Sequence, residues 1–562
     1  MSGSETERRS GANSLWQRLR LALPWVLLLA SLALFTWEMR TVPPQADDAF
    51  ISYRYARNLV QGHGLVYNPG ERVEGYTNLL WTLLLSAGLA SGLRAQDTAH
   101  LLSLASGLGA LFFAFAYARA ILPRALVWLA GFAPLLLLLS PSFAVWSCSG
   151  LETPLFTATL TAALAAEARR SSGWMTAALA VAALTRPEGA LAAAVLYALH
   201  LYRQRQRPLA ALRPVLLFSS LLVALTLFRL IYYDAWLPNT YYAKAGGLPL
   251  QSGPLYLLGW LLSGPAILAV MATPAARRNS LAHSGATLTL AFCIYAVCIG
   301  GDVFNQWRFL LPVLPALIGL GLLGCACAFE MHPALGRLCT ACLGATALFF
   351  LFGSGASAAM AVLAIAAALY AAIRGAGMRP AGMALSTLLV GSIILLPMVD
   401  RWLDRQIEAR GIAAYTIGIS RARARVENRN MYRLMHWSAR HYTRKIVPRC
   451  PYGCLVASVS IGMLGFYSHL PIVDVLGIVD PVISRSRVRP QSEKLVLLPG
   501  HQKTDADYVL ARRPDFILVG TRAEHMLPAS LELLDHPGFQ RDYIFDAKLI
   551  GYVRRGRRPG AR

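Results

Sequence analysis

Residues 18–50 read RLRLALPWVLLLASLALFTWEMRTVPPQADDAF. Two arginines precede an apolar run, and two adjacent aspartates, Asp47 and Asp48, follow it. The run is long enough to cross a hydrocarbon core, which needs roughly 20 apolar residues. No A-x-A site of a secretory signal follows, so it reads as an uncleaved anchor. Arg18 and Arg20 hold its near end in the cytoplasm, where membrane proteins collect Lys and Arg. Asp47 then lies outside. Behind the acids come Arg54, Arg57, His63, Glu71, Arg72 and Glu74 in the stretch AFISYRYARNLVQGHGLVYNPGERVEGYTNLLW. So many charges beside a first span need a reason.

The whole chain supports the membrane reading. It has 562 residues, 56% hydrophobic and only 15% charged, and its mean hydropathy is positive. Soluble domains do not have this balance; polytopic membrane proteins do. The net charge of +24 fits basic cytoplasmic loops and anionic lipid head groups rather than nucleic acid. Most of the nine cysteines lie in or beside apolar runs and act as small hydrophobes. Cys450 and Cys454, in CPYGC, lie in a soluble tail. A short-loop disulfide suits them if that tail is outside the cytoplasm. Zinc is disfavoured, because no second Cys or His pair has suitable spacing.

After the anchor, apolar spans are expected to begin near Leu101, Leu126, Leu151, Trp174, Leu191, Pro214, Leu255, Leu281, Phe309, Leu338, Ala356 and Ala381. RQRQR (203–207), EARR (167–170) and ARR (276–278) mark the cytoplasmic side. Counting from them, residues 79–93 must begin and end outside, so they lie along the membrane surface. The alternative, that they cross, would move the tail to the cytoplasm or cost another span. The expected fold is thus a polytopic α-helical membrane protein with about 13 transmembrane helices and a C-terminal periplasmic α/β domain. Its parts are residues 1–40 (cytoplasmic N-terminus and first span), 41–98 (first outer loop with surface-lying helices), 99–400 (helical core) and 401–562 (soluble domain). In the last part, 421–445 reads as a basic amphipathic helix, and CLVASVSIGMLGFYS, DFILVG and KLIGYVRR read as strands. The basic helix either rests on lipid head groups or packs on its own domain.

With this topology the conspicuous polar clusters all fall on the outer face. They are DDAF (47–50), SGLETP (149–154), TRPEG (185–189), YYDAWLPNTYYAKAGG (232–247) and GGDVFNQWR (300–308). Charges near hydrocarbon are expensive, so such clusters point to function. A carboxylate at a membrane surface can take the proton of a hydroxyl that attacks a lipid-linked sugar. The departing lipid phosphate needs cations; Arg54, Arg186, Lys244 and Arg308 are candidates. Tyr232, Tyr233, Trp236, Tyr241 and Tyr242 could line a sugar.

Each residue also has a plainer reading. Asp48 or Asp47 could cap the following helix, or the two could share a divalent metal. Arg186 and Glu188 could simply pair. The tyrosines could be an interfacial belt. Asp302 and His63 could be turn residues, and Glu152 a helix cap.

The ordered set DDAFISYRYARNLVQGHGLVYNPGERVEGYTN, SGLETPLF, ALTRPEG, LPNTYYAK, GGD…RFLLP and LGFYSHLPIVDVLGIVDP resembles the GT-C superfamily of membrane glycosyltransferases. It looks most like bacterial arabinofuranosyltransferases, the mycobacterial terminal β-1,2 enzyme and the type IV pilin enzyme among them. The resemblance implies a GT-C fold with Asp47 as catalytic base and Asp48 orienting the site or helping to hold a metal. It implies a substrate site drawn from Arg54, His63, Glu74, Tyr76, Asn78, Glu152, Arg186, Glu188, Asn239, Tyr241, Tyr242, Lys244, Asp302 and Arg308. The implied reaction is inverting transfer of a sugar, D-arabinofuranose foremost, from a polyprenyl phosphate to a cell-envelope glycan or pilin. The implied place is the bacterial inner membrane, with membrane lipid around the helices and the site on the periplasmic side. No cofactor beyond such a metal is expected. A lipid-linked sugar flippase and a non-catalytic assembly protein are the alternatives.

Overall fold

The computed structural model describes residues 3–40, 46–245, 252–276, 280–331 without 303 and 305, scattered positions from 333 to 343, 421–488 without 452, 502–519 and 527–556. Four described helices are long and apolar enough to cross a membrane: Leu21–Arg40, Ala95–Ile121, Pro208–Tyr233 and Leu311–Met331. Gly253–Leu261 and Pro265–Thr273, bent by 78°, add a fifth if they form one span. Leu311–Met331 is enclosed by other helices except at its end, where Met331 is exposed, whereas Pro208–Tyr233 is almost bare. Its Leu209 and Ile231 are 85% and 82% exposed. So open an apolar helix suits acyl chains, not water.

Other expected spans are short. Thr153–Ala168 and Glu188–Arg203 have 16 residues each, and Ser172–Thr185 has 14. Sixteen residues rise only about 24 Å, against a hydrocarbon core of about 30 Å. The described residues therefore do not carry thirteen helices of full spanning length. The starts at Ala356 and Ala381 lie outside them, and the one at Leu338 largely does. Residues 79–93 contain one helix, Leu79–Ala90, of 12 residues. At about 18 Å it is too short to cross unaided, which fits the surface-lying reading.

Three of these helices join two polar ends. Thr153–Ala168 follows Glu152 and carries Glu167. Glu188–Arg203 starts on Glu188 and ends on Arg203. Ser280–Cys298 carries Ser284 early and Tyr295 late. At one end Arg203 pairs with Glu167 and donates to Ser284 Oγ at 3.0 Å. At the other end Glu152, Glu188 and Tyr295 share one hydrogen-bonded network. EARR and RQRQR thus lie at one end of these helices with Ser284, away from SGLETP and TRPEG, as charge counting requires of those two loops.

Among the described residues the C-terminal part has strands β1 Val456–Ser458, β2 Ile472–Asp474, β3 Phe516–Leu518, β4 Tyr543–Asp546 and β5 Gly551–Arg554. They form a five-stranded mixed sheet in the order β2-β1-β3-β5-β4. β1 is parallel to β2 and β3; β5 is antiparallel to β3 and β4. Helices accompany these strands, and one expected strand is corrected. GMLGFYS, expected to extend a strand, is the helix Gly462–Ser468. Its N-terminus bonds to Asp47, a tertiary contact that overrides local β propensity. The basic helix forms over Arg421–Ile446. It packs against Gly462–Ser468 and Pro141–Trp146, while Met431, Leu434 and Trp437 stay exposed. The sheet shares a core with the first loop: Tyr55, Leu65, Tyr67 and Tyr76 pack with Val456, Ile472 and Phe516. The disulfide Cys450–Cys454 is formed, with 5.5 Å between Cα atoms.

Candidate active site

The helix Asp47–Val60 opens directly on the two aspartates. Neither caps it: the N-cap is Ala46, with no side-chain bond. Asp47 instead accepts N–H bonds from Gly462 (3.1 Å, Oδ2) and Met463 (2.8 Å, Oδ1) of the soluble domain. Loss of surrounding water pushes its carboxyl up to about 6, partly offset by the Met463 N–H; the Asp48 charge raises it further. Asp48 points elsewhere. Its carboxylate makes no hydrogen bond or ion pair among the described residues, and it interacts electrostatically with Lys244 and Arg308.

Around Asp48 the structure gathers several sequence clusters. Arg308 grips Asp302 with two bonds, Nε to Oδ2 at 2.7 Å and Nη2 to Oδ1 at 3.0 Å. Its guanidinium lies 5.0 Å from the Phe304 ring centre and 5.4 Å from those of Trp146 and Phe309. Asp302 is therefore more than a turn residue. Arg186 Nη1 donates to Glu152 at 2.6 Å, and its Nε and Nη2 donate to Glu188 at 3.2 and 2.8 Å. Tyr295 donates to Glu188 at 3.2 Å. Asn78 Nδ2 donates to Glu152 Oε2 at 2.8 Å, and Asn78 Oδ1 accepts from Ser52 and Thr82. Glu152 sits at a helix N-cap position, but its side chain turns to Asn78 and Arg186 instead of capping. These buried charges are paired, as burial demands. Lys244 is different. It is exposed, forms no hydrogen bond or ion pair among the described residues, and interacts electrostatically with Arg308, Asp302, Asp48 and Arg186. Among the described residues, one acid and one base, Asp48 and Lys244, are thus left over in a cluster whose other charges are matched.

Other expected site residues lie elsewhere. Arg54 was expected to meet phosphate, but it is 1% exposed and all its nitrogens are engaged. They donate to the carbonyls of Tyr67, Gly465 and Leu470 and to Asn68 Oδ1. Four of its five N–H groups are thereby used, and its burial keeps it from a ligand. Asn239 likewise donates to the carbonyls of Gly477, Ile478 and Asp480 and accepts from Ser484. Glu74 pairs with Arg229 at 2.9 Å, and Tyr76 meets Tyr233 at 3.0 Å; both fasten the first loop to the end of Pro208–Tyr233. Tyr232 accepts from Leu65 N–H, so Tyr232 and Tyr233 act as packing. Tyr242 gives its carbonyl to Lys503; Tyr241 and Trp236 are exposed. His63 is exposed between Gly62 and Gly64, both of positive φ, the turn role that was its alternative.

Arg229, Tyr295, Ser52 and Thr82 escaped the sequence reading. Tyr295 left the one usable trace, a phenol in the last turn of Ser280–Cys298 just before GGD. As for a metal, no group of three or more His, Cys, Asp or Glu able to hold one occurs among the described residues. Both oxygens of Asp47 already accept backbone N–H groups, which leaves Asp48 as the free carboxylate of the pair. Among the described residues the donor set makes no metal cradle.

Residues 418–559 match a family described as a domain of unknown function, DUF8728. ArnT from Cupriavidus metallidurans bound to undecaprenyl phosphate aligns with a TM-score of 0.43 and 15% identity, over 82% of this chain and 85% of that one. The Archaeoglobus fulgidus oligosaccharyltransferase in the apo form aligns with 0.44 and 10%, over 81% and 64%. Scores this low decide nothing further. The terminal β-(1→2)-arabinofuranosyltransferase of Mycobacterium tuberculosis is 32% identical over 257 residues, 42% of this chain and 40% of the relative. The chain thus spans less than half the length of that relative. Over those residues it is similar to a bacterial arabinofuranosyltransferase, the resemblance its motifs carry.

Proposed function

We propose that this chain is a polyprenyl-phosphate-dependent membrane glycosyltransferase of GT-C fold, acting on the periplasmic face of a bacterial inner membrane. One observation carries the reading: among the described residues, the Asp48 carboxylate and the Lys244 ammonium make no hydrogen bond or ion pair and share a cluster beside Asp47, whose carboxyl burial pushes up. The apolar helices supply a place for a prenyl tail. Lys244 receives the donor phosphate, backed by the Asp302-bound Arg308. Asp48 accepts hydrogen bonds from sugar hydroxyls. Asp47 takes the proton of the acceptor hydroxyl as its oxygen bonds to the anomeric carbon. The bond from that carbon to the phosphate oxygen breaks, and the lipid phosphate leaves with the electron pair. Attack opposite the leaving group inverts the anomeric centre.

The donor sugar we propose is D-arabinofuranose, on the likeness to the mycobacterial relative. The acceptor is an envelope glycan or a pilin. The disulfide supports an oxidising compartment for the soluble domain. Purified protein given polyprenyl-phosphate-arabinose and a candidate acceptor should release lipid phosphate and form a new glycosidic bond. Lipid movement across proteoliposomes without any such product would favour the flippase instead.

A further inference from the structure

The two aspartates share a helix, yet the group that orients Asp47 comes from the far end of the chain. Gly462 and Met463 lie 415 and 416 positions away, and their N–H groups meet one oxygen each of the Asp47 carboxylate. The same two helices are joined twice more. Arg54 Nη1 donates to the Gly465 carbonyl at 2.8 Å, and Arg57 Nη1 to the Phe466 carbonyl at 2.7 Å. Tyr67 OH closes the seam on the Ile461 carbonyl at 2.6 Å. Position by position, 47, 54 and 57 on one helix match 462–463, 465 and 466 on the other.

The contact is too close for any other residue. A Cβ on Gly462 would stand 1.9 Å from the Asp47 carbonyl oxygen and 2.9 Å from its Cγ. A Cβ on Gly465 would stand 2.0 Å from Tyr67 OH and 2.6 Å from Arg54 Nη1. Both glycines belong to the stretch IGMLGFYS. A carboxylate held by two N–H groups has one orientation rather than a rotamer ensemble, and catalytic geometry depends on such support.

We infer that the soluble domain completes the catalytic site, with the main-chain N–H groups of Gly462 and Met463 as positioning groups for Asp47. The domain is then part of the catalytic machinery and not solely an acceptor-binding appendage. This rests on the glycosyltransferase reading above, with Asp47 as base.

The test uses the full chain in nanodiscs with polyprenyl-phosphate-arabinose, measuring the lipid phosphate released as the sugar passes to acceptor or, without acceptor, to water. Met463→Pro removes one N–H in the first turn of its helix, where proline is tolerated. Gly462→Ala forces the helix away from Asp47. Gly173→Ala, where an added Cβ meets nothing within 4 Å, is the steric control. Both test variants should lose kcat on the order of 100-fold, the effect of misplacing a reacting group by about 1 Å. Donor KM should stay near the parent's; Met463→Pro should melt lower, because the Met463 side chain is buried in the core, yet still fold, and the control should match the parent. Unchanged kcat in folded Met463→Pro overturns the inference while leaving the glycosyltransferase reading intact. So does a loss confined to KM. A parent protein that neither transfers nor hydrolyses the donor overturns both.

Discussion

Replacing Asp47 by asparagine separates its chemical role from its structural one. Burial moves the carboxyl from 3.8 to about 6. The folded chain therefore holds this proton more tightly than the unfolded chain. The stability this lends is complete below pH 3.8 and is lost as pH rises through about 6. The difference, 6 − 3.8 = 2.2, at about 1.36 kcal/mol for each pKa unit, is at most about 3 kcal/mol against folding at pH 7. Asparagine escapes that penalty. It keeps one oxygen for the Met463 N–H and loses the Gly462 bond, worth about 1 kcal/mol. Asp47→Asn should thus melt no lower than the parent at pH 7, by up to about 2 kcal/mol in its favour. Its transfer activity should vanish. The parent's activity should fall on the acid side with a midpoint near 6, because a protonated carboxyl accepts no proton. The assay is lipid phosphate release in nanodiscs between pH 5 and 8, paired with melting curves. Normal turnover by the variant, or a parental rate unchanged down to pH 5, refutes the reasoning.

Three further outcomes are expected. Lys244→Ala should raise donor KM roughly tenfold, the loss of one charge-assisted contact, with Lys244→Arg intermediate; an unaltered KM in the alanine variant would remove Lys244 from the donor site. Arg54→Lys should lower stability by about 3 kcal/mol, because a lysine cannot reproduce the guanidinium fork; an unchanged melting temperature would show that the buried bonds to Tyr67, Gly465, Asn68 and Leu470 contribute little. Replacing Cys450 and Cys454 by serine should cost about 2 kcal/mol by loop-closure entropy, since the bridged residues are 4 apart; thiols that label without prior reduction would place the domain in a reducing compartment.

Which loops share an end of the helices was legible from charge alone. Basic loops and acid-aromatic loops alternate along the chain, and Glu167–Arg203 and Glu152–Arg186 duly form at opposite ends of the same helices. The gathering of Glu152, Arg186, Glu188, Asp302 and Arg308 followed from that alternation. The division of labour within the gathering did not. Arg54 and Arg308 look alike as basic residues near an outer loop. One is engaged by main-chain carbonyls and the other by a carboxylate, a difference set by what packs around each. The strand reading of GMLGFYS failed for the same reason: its partner is Asp47, not a neighbouring strand.

Sequence by itself determined what depends on short-range pattern. Apolar run length implies spans, basic flanks imply sides, and the spacing of Cys450 and Cys454 allows a small loop. These are properties of neighbouring residues and survive without knowledge of the fold. Only the tertiary structure decided which charge is matched, which is left over, and which backbone N–H reaches Asp47. Every residue but proline carries an identical N–H, so a main-chain donor leaves almost no mark in sequence. Its effect appears when folding brings the soluble domain to the first loop and excludes the water that would otherwise have served Asp47.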